Sequence, residues 1–307
     1  MQRNTCICFY YGDVDPAILG WLETCDYAVL PPTLSENVLE ELRGAGVETL
    51  GYVSIATIGG WEPWAKLVPR DAVIGRNPAW GEAIIDACSS AWRHAYTWAL
   101  GYIASKGYTG YFLDNLDVVD RYPRMKRCVT DLVALTRRLH PRAVIAVNRC
   151  FAILEEIAPY IDILVYESFP TYYDPSTRSY RAWRGQDLEW CLEMLEKALS
   201  LSKRYGFTIL LLAYAPRGRE GEVCRLLEKL RVPPLPLYVA PDELREPGVC
   251  NPCRPAENTT TLRYTTTPAA SPAAEHRAAP SWLLVAGGVA AGLAAWLGLR
   301  ASKRRGR

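Results

Sequence analysis

Histidine is the scarcest reactive side chain in this sequence: only His94, His140 and His276 occur among 307 residues. Three scattered imidazoles make zinc hydrolases and Ser-His-Asp enzymes poor candidates. No Gly-rich phosphate loop follows the first strand-like run, which weakens the case for a doubly wound nucleotide-binding sheet. A basic face is missing as well. The first 250 residues carry 27 Lys and Arg against 31 Asp and Glu, a net −4, which argues against nucleic acid as a partner. The opening residues, MQRNTCICFYYG, lack a charged start followed by an apolar region, so no signal peptide is recognisable. On this reading either the true start lies upstream or a later apolar segment directs insertion.

What is present suits a large core. Half of the residues are hydrophobic and 22% are charged, which excludes a mostly disordered chain. Eight short apolar runs recur at Thr5 to Tyr11, Tyr27 to Leu30, Thr49 to Ile55, Gly110 to Leu113, Ala143 to Asn148, Ile161 to Glu167, Thr208 to Tyr214 and Leu237 to Ala240. They are continuous rather than alternating, as parallel strands covered on both faces are. Helical patterns lie between them, over Pro16 to Glu23, Leu34 to Ala45, Gly81 to Ser105, Pro123 to Leu139, Phe151 to Pro159, Gln186 to Tyr205 and Gly218 to Leu230. In the third of these, Ile84, Cys88, Ala91, Ala95, Trp98 and Tyr102 mark one apolar face. The alternation predicts an α/β fold, a (β/α)8 TIM barrel over residues 1–249, with a helix after the eighth strand short or missing.

Beyond it the composition changes. Residues 250–281 are rich in Pro, Thr and Ala and read as a disordered stalk; Asn258-Thr259-Thr260 there matches the N-glycosylation acceptor pattern. Residues 282–299, WLLVAGGVAAGLAAWLGL, run without a charge and at 1.5 Å per residue reach about 27 Å, enough to place one transmembrane helix in a lipid bilayer. Five basic residues in 300–307 put that tail on the cytoplasmic side. The chain is thus expected to be a monomer on the cell membrane with its barrel extracytoplasmic. Ten cysteines permit disulfides in such a place. Cys250 and Cys253 are expected to form a local disulfide or stay free rather than make half of a zinc site, and several others to fill the core.

In such barrels functional residues gather at the C-terminal ends of strands. The strand list then nominates Tyr11 and Asp13, Asp114, Asn115 and Asp117, Asn148 and Arg149, Glu167, and Tyr214. Asp114 and Glu167 each end an apolar run, where burying an acid is costly without partners or a role. Either acid alone could instead cap a helix or pair with Arg149 or Arg121. Together, on strands four and six, they fit glycoside hydrolysis, with one protonated carboxyl and one ionised carboxylate as its catalytic pair. Rings in the loop after strand three (Trp61, Trp64, Trp80) and the loop after strand six (Phe169, Tyr172, Tyr173, Tyr180, Trp183) could stack on sugars; Trp61 and Tyr172 join the substrate-binding candidates.

The segments LGYVSIA, NPAW at 77–80, GYTGYFLDNLD at 107–117, AVN ending at Asn148 and ILVYESF around Glu167 resemble glycoside hydrolase family 114, the endo-α-1,4-polygalactosaminidase-like TIM barrels. The resemblance covers roughly residues 5 to 245. It implies that Asp114 is the catalytic aspartate and Glu167 the catalytic glutamate, with no metal or organic cofactor. It departs where such barrels often carry an aspartate after strand two, here Leu30-Pro31-Pro32, and a Gly-Glu pair after strand three, here Ala56-Thr57. Two carboxylates that could meet a cationic amino sugar are then missing from the mouth. The function expected is a membrane-anchored glycoside hydrolase cleaving α-glycosidic bonds in a polysaccharide or surface glycan. Its rivals are a catalytically idle glycan-binding barrel and a hydrolase of another bond using the same acids.

Overall fold

The computed structural model describes residues 5–77, 81–174, 177–241 and 244–253. Eight parallel strands lie side by side in chain order: β1 (Ile7–Phe9), β2 (Tyr27–Leu30), β3 (Glu48–Ser54), β4 (Gly110–Asp114), β5 (Val144–Asn148), β6 (Ile163–Glu167), β7 (Thr208–Tyr214) and β8 (Leu237–Ala240). A doubly wound sheet would reverse its strand order at a switch point, and this one never does. No ladder joins β8 to β1. Closure is by side chains: the Phe9 and Tyr238 rings sit 5.5 Å apart and the Tyr238 hydroxyl donates to the Phe9 carbonyl at 3.2 Å. The result is a nearly closed α/β barrel whose strand residues are almost all buried, which is why they read as unbroken apolar runs.

Helices cover the outside: α1 (Pro16–Leu22), α2 (Glu36–Gly44), α3 (Ser90–Lys106), α4 (Lys126–Leu139), α5 (Leu154–Ile157), α6 (Gly185–Tyr205) and α7 (Glu220–Lys229). Local chemistry sets several ends. The Asp15 carboxylate accepts the Ala17 and Ile18 N–H groups with Pro16 in the first turn, and Gly107 at φ 99° stops α3 in a left-handed cap that other residues resist.

The pattern over Gly81 to Ser105 misleads at its start. Helix α3 begins only at Ser90, capped by the Ser89 hydroxyl, and Ala83–Ile85 is the middle strand of a small antiparallel sheet with Thr57–Ile58 and Val73–Arg76. Ile84 pairs with Thr57 in that sheet, and Cys88 is tied to Cys128 of α4 by a disulfide. The buried face of α3 is therefore Trp92, Ala95, Tyr96, Ala99, Leu100 and Ile103, whereas Trp98 is 41% exposed and stacks on Tyr102. A second insertion, the ribbon Thr171–Asp174 with Ser179–Ala182, follows β6.

Among the described residues no helix follows β8. Val249–Cys250 adds instead as a short antiparallel strand on β8. Cys250 bonds to Cys6 beside β1 and Cys253 to Cys224 of α7, so the local Cys250–Cys253 pairing does not form; the strand holds Cys250 against Cys6, and Cys253, three residues past it, meets α7. The folded unit accordingly runs through Cys253, past the boundary expected at 249. Cys8–Cys25 is the fourth disulfide, and Cys150 and Cys191 are free and buried in the core. The rest of the stalk, its sequon, the expected span and the basic tail lie outside the described residues, as does Trp80. Among the described residues no helix is long and apolar enough to cross a membrane.

Candidate active site

Asp114 and Glu167 are the last residues of β4 and β6, 2% and 1% exposed. Strand β5 lies between them and ends at Asn148, whose side-chain nitrogen donates to Asp114 Oδ1 at 2.9 Å and to Glu167 Oε2 at 2.8 Å. Asp114 Oδ2 also accepts the Tyr52 hydroxyl at 2.9 Å and the Asn115 amide at 3.3 Å. Glu167 Oε1 accepts the Tyr214 hydroxyl at 2.6 Å. Neither acid caps a helix and neither forms an ion pair with Arg149 or Arg121.

The spacing of the pair follows from the shared donor. Two bonds of 2.9 and 2.8 Å leaving one amide nitrogen keep the facing oxygens no more than about 5.7 Å from one another. Burial raises both carboxyls above the ordinary range. For Glu167 the rise reaches about 7: desolvation is the largest cause, the Asp114 charge adds to it, and the Tyr214 and Asn148 hydrogen bonds and the Arg149 charge oppose it. For Asp114, desolvation is opposed first by Asn148 and then by the Asn115 backbone and Tyr52, with the Asp117 charge pushing up.

Tyr11 joins this group. Its ring meets Tyr52 edge-on at 5.7 Å, its hydroxyl has no partner among the described residues, and burial with the charges of Asp114 and Glu167 pushes its pKa far up. Asn115 sits at φ 59°, an αL position that turns its amide back onto Asp114, Tyr52 and Ser54. Arg149, 8% exposed at φ 53°, lines a cavity of about 190 Å3 with Asp117, Asp120, Cys150, Phe151 and Trp190. Its Nε has no partner.

Asp13 and Tyr172 contact residues other than the pair. Asp13 is exposed on the loop after β1, and its visible contact is a backbone carbonyl that accepts the Tyr10 hydroxyl. Tyr172 stacks on Trp183 at 4.2 Å within the ribbon region. Trp61 is half-buried over Gly59 with an unpartnered Nε1. Three rings expected to meet sugar are core instead: Trp64 is buried, Phe169 stacks on Tyr166, and the Trp183 indole N–H is spent on the Ser168 carbonyl at 2.6 Å.

Several residues of the site are not foreshadowed by the strand-end rule. Tyr52 lies within β3, and Ser54 ends it, one residue short of where the apolar run read from the sequence ends, in register with Asp114. Glu82, 4% exposed, reaches the mouth from the small antiparallel sheet and hydrogen-bonds the Thr57 side chain. A carboxyl thus stands next to Thr57 although the chain has no acid directly after β3. Glu62 is also buried, with its two oxygens accepting the Gly59 and Gly60 N–H groups at 2.9 Å each. Among the described residues the one His, Cys, Asp or Glu grouping with metal-ligand spacing is Cys6, Cys8 and Cys250, and those sulfurs are held in disulfides.

No curated protein sequence matches the chain. The fold aligns with the glycoside hydrolase domain of PelA from Pseudomonas aeruginosa at a TM-score of 0.68 and 24% identity, over 80% of this chain and 97% of that one. Aspergillus fumigatus Ega3, solved in complex with galactosamine, aligns at 0.54 and 14% identity over 69% and 77% of the two chains. AmyB, a maltogenic α-amylase from Thermotoga neapolitana, aligns at 0.52 and 12% over 80% and 69%. These likenesses show the fold, an α/β barrel. The model of glycoside-hydrolase family GH114 matches residues 27–189, more than half of the sequence and a span that contains both strand-end acids, and the chain belongs to that family.

Proposed function

We propose that this glycoside hydrolase cleaves α-glycosidic bonds within a polysaccharide or surface glycan, retaining anomeric configuration, with Asp114 as nucleophile and Glu167 as acid and base. The observation that carries the reading is the Asn148 bridge. Facing oxygens no more than about 5.7 Å apart suit direct attack by one carboxylate, whereas an inverting pair leaves about 6.5–9.5 Å for a water. Roles follow from the donors. Asp114 accepts Asn148, Tyr52 and Asn115, three bonds that favour its ionised form, while burial holds the proton on Glu167 up to about 7.

In the first step Glu167 gives its proton to the leaving oxygen as an Asp114 oxygen bonds to the anomeric carbon. The resulting ester removes the Asp114 charge, which is one of the causes raising Glu167. Glu167 then becomes the stronger acid, and its carboxylate takes a proton from the water that attacks the ester. Release of the sugar restores both groups. Tyr11, with a free hydroxyl beside the pair, and Arg149 are placed to bind the substrate; Asn115, Tyr214 and Asn148 hold the acids.

The enzyme works, in this reading, as a monomer outside the cytoplasm, held to the bilayer by residues 282–299 with its basic tail inside. The charge-free run with five following basic residues supports the anchor. Four disulfides suit an oxidising compartment. The test is turnover of α-linked polysaccharides and glycans by the purified protein, with proton NMR of the anomer first released. First release of the α-anomer is expected. A first-formed β-anomer would overturn retention, and binding without turnover would favour the idle barrel.

A further inference from the structure

Glu82 has no part in the two-carboxylate mechanism, and its burial needs a cause. An acid 96% removed from solvent, without an ion pair, is costly unless its surroundings use it. One of its oxygens, Oε2, has no hydrogen-bond partner. The groups that face it are Asp114 at the end of β4, Glu62 in the loop after Thr57–Ile58, and Tyr52 in β3. All are acidic or neutral, so nothing near it favours a negative charge except the Thr57 hydroxyl.

That hydroxyl begins a continuous string. Ser54 and Thr57 hydroxyls lie 2.7 Å apart. Ser54 Oγ accepts the Thr57 backbone N–H at 3.0 Å and the Asn115 amide at 3.1 Å. With both of its acceptor positions filled, Ser54 must donate to Thr57 Oγ1, and the Thr57 hydrogen is left to point at Glu82. The same Asn115 nitrogen donates to Asp114 Oδ2. The side-chain bonds therefore diverge from Asn115, to Asp114 Oδ2 on one side and through the Ser54 and Thr57 hydroxyls to Glu82 on the other.

We propose, building on the assignment of Asp114 as nucleophile, that Glu82 is a positioning residue for it: the Glu82 carboxyl is the fixed acceptor that ends the Asn115–Ser54–Thr57 string and keeps the Asn115 amide on Asp114. Without that acceptor the Thr57 and Ser54 hydroxyls are free to reverse. A reversed Ser54 hydroxyl presents its hydrogen to the Asn115 amide nitrogen, and Asn115 leaves Asp114. The acceptor need not be charged. Burial first, then the Asp114 and Glu62 charges, raise Glu82 to about 7, so its carbonyl oxygen can accept from Thr57 while the proton rests on Oε2.

The test separates this role from packing and from the mechanism itself. In protein carrying 13C-carboxyl aspartate, Glu82→Ala should move the Asp114 titration up by about one pH unit, because a donor to its ionised form is lost. Thr57→Val, which keeps volume and leaves Glu82 in place, should move it likewise. Glu82→Gln retains an acceptor carbonyl and should return Asp114 close to its parental titration. In turnover, Glu82→Ala and Thr57→Val should lower kcat by about 10- to 100-fold with KM within about twofold, and Glu82→Gln should recover most of kcat. An Asp114 titration unchanged in Glu82→Ala and Thr57→Val overturns the proposal whether or not the parent turns over a glycan. A parent that turns over nothing overturns the enzymatic reading alone, and the titrations still decide the string.

Discussion

The side-chain nitrogen of Asn148 donates to Asp114 Oδ1 and Glu167 Oε2 at once, at 2.9 and 2.8 Å. One amide thus fixes the distance between two acids that would otherwise repel. Its orientation is also fixed, since a carbonyl oxygen in the same place would face two carboxylates; Asn148 Oδ1 has no partner among the described residues. Asn148→Ala should lower kcat by about 10²- to 10³-fold, the usual loss on deleting one donor aimed at reacting groups. Asn148→Asp should be worse, because a third carboxyl must find a proton. Steady-state kinetics checks this, and kcat within a few fold of the parent in both variants would remove Asn148 from the machinery.

Asp114→Asn and Glu167→Gln should each lower turnover of a glycan by several orders of magnitude, since each keeps size and deletes a titrating group. Their behaviour should part on an aryl α-glycoside. A phenolate leaves without protonation, so Glu167→Gln should still form the glycosyl ester and show a burst, whereas Asp114→Asn should not. A burst in Asp114→Asn and none in Glu167→Gln would reverse the assigned roles.

How much of this was legible in the sequence depends on where each residue sits. The eight strands are visible because both faces of a parallel barrel strand are buried, so each reads as an apolar run, and three of them match residue for residue: Tyr27–Leu30, Thr208–Tyr214 and Leu237–Ala240. The acids are visible for the same reason, as charges that interrupt such runs. Glu82 is not, because Ile84 and Cys88 continue the period of α3 and hide a strand and a disulfide within a helical pattern. Tyr52 and Trp64 show the other limit. An aromatic residue in an apolar segment gives no sign of whether its polar tip meets Asp114, as Tyr52 does, or its ring fills the core, as Trp64 does. Cysteine spacing misleads at Cys250 and Cys253, whose partners lie far away in sequence at Cys6 and Cys224.

The disulfides give a count. All ten cysteines are described and eight are bonded, so alkylation of unfolded, unreduced protein should modify two, Cys150 and Cys191, and mass spectrometry should find the other eight protected. Cys6–Cys250 spans 244 residues and joins the first strand to the last. Loops of that size confer about 5–6 kcal/mol in the chain-entropy account, so Cys6→Ser with Cys250→Ser should lower Tm clearly. Labelled Cys6 or Cys250 in the parent would refute the pairing.

The anchor is tested on the full chain. Residues 282–299 without a charge should keep it in membranes through alkaline carbonate extraction, which strips proteins held by surface charge. Introducing two Asp residues into this run, at Ala290 and Ala294, should release it, because each charge near the centre of a span costs about 2.5–3.5 kcal/mol. Extraction of the parent itself would rule out the span.

The last prediction concerns stability against pH, where the sign runs opposite to the usual carboxylate. Glu167 keeps its proton to about 7 when folded, against 4.5 for an unperturbed glutamate, and Glu82 behaves in the same way. Between those two values the folded chain binds more protons than the unfolded one, so stability must fall as pH rises. The contribution is fully present below about 4.5 and is lost as pH climbs through about 7, by an amount on the order of 3 kcal/mol for each group. Tm of the parent should accordingly drop between about pH 5 and about pH 8. Glu167→Gln binds no proton in either state, so its Tm should decline less steeply and should exceed that of the parent at the alkaline end. The cause is physical as well as arithmetic: above neutrality the parent must hold a second buried charge beside Asp114, and the amide carries none. Parallel Tm curves for parent and variant would mean that Glu167 ionises at an ordinary pH, and the acid role assigned to it would fall with that result.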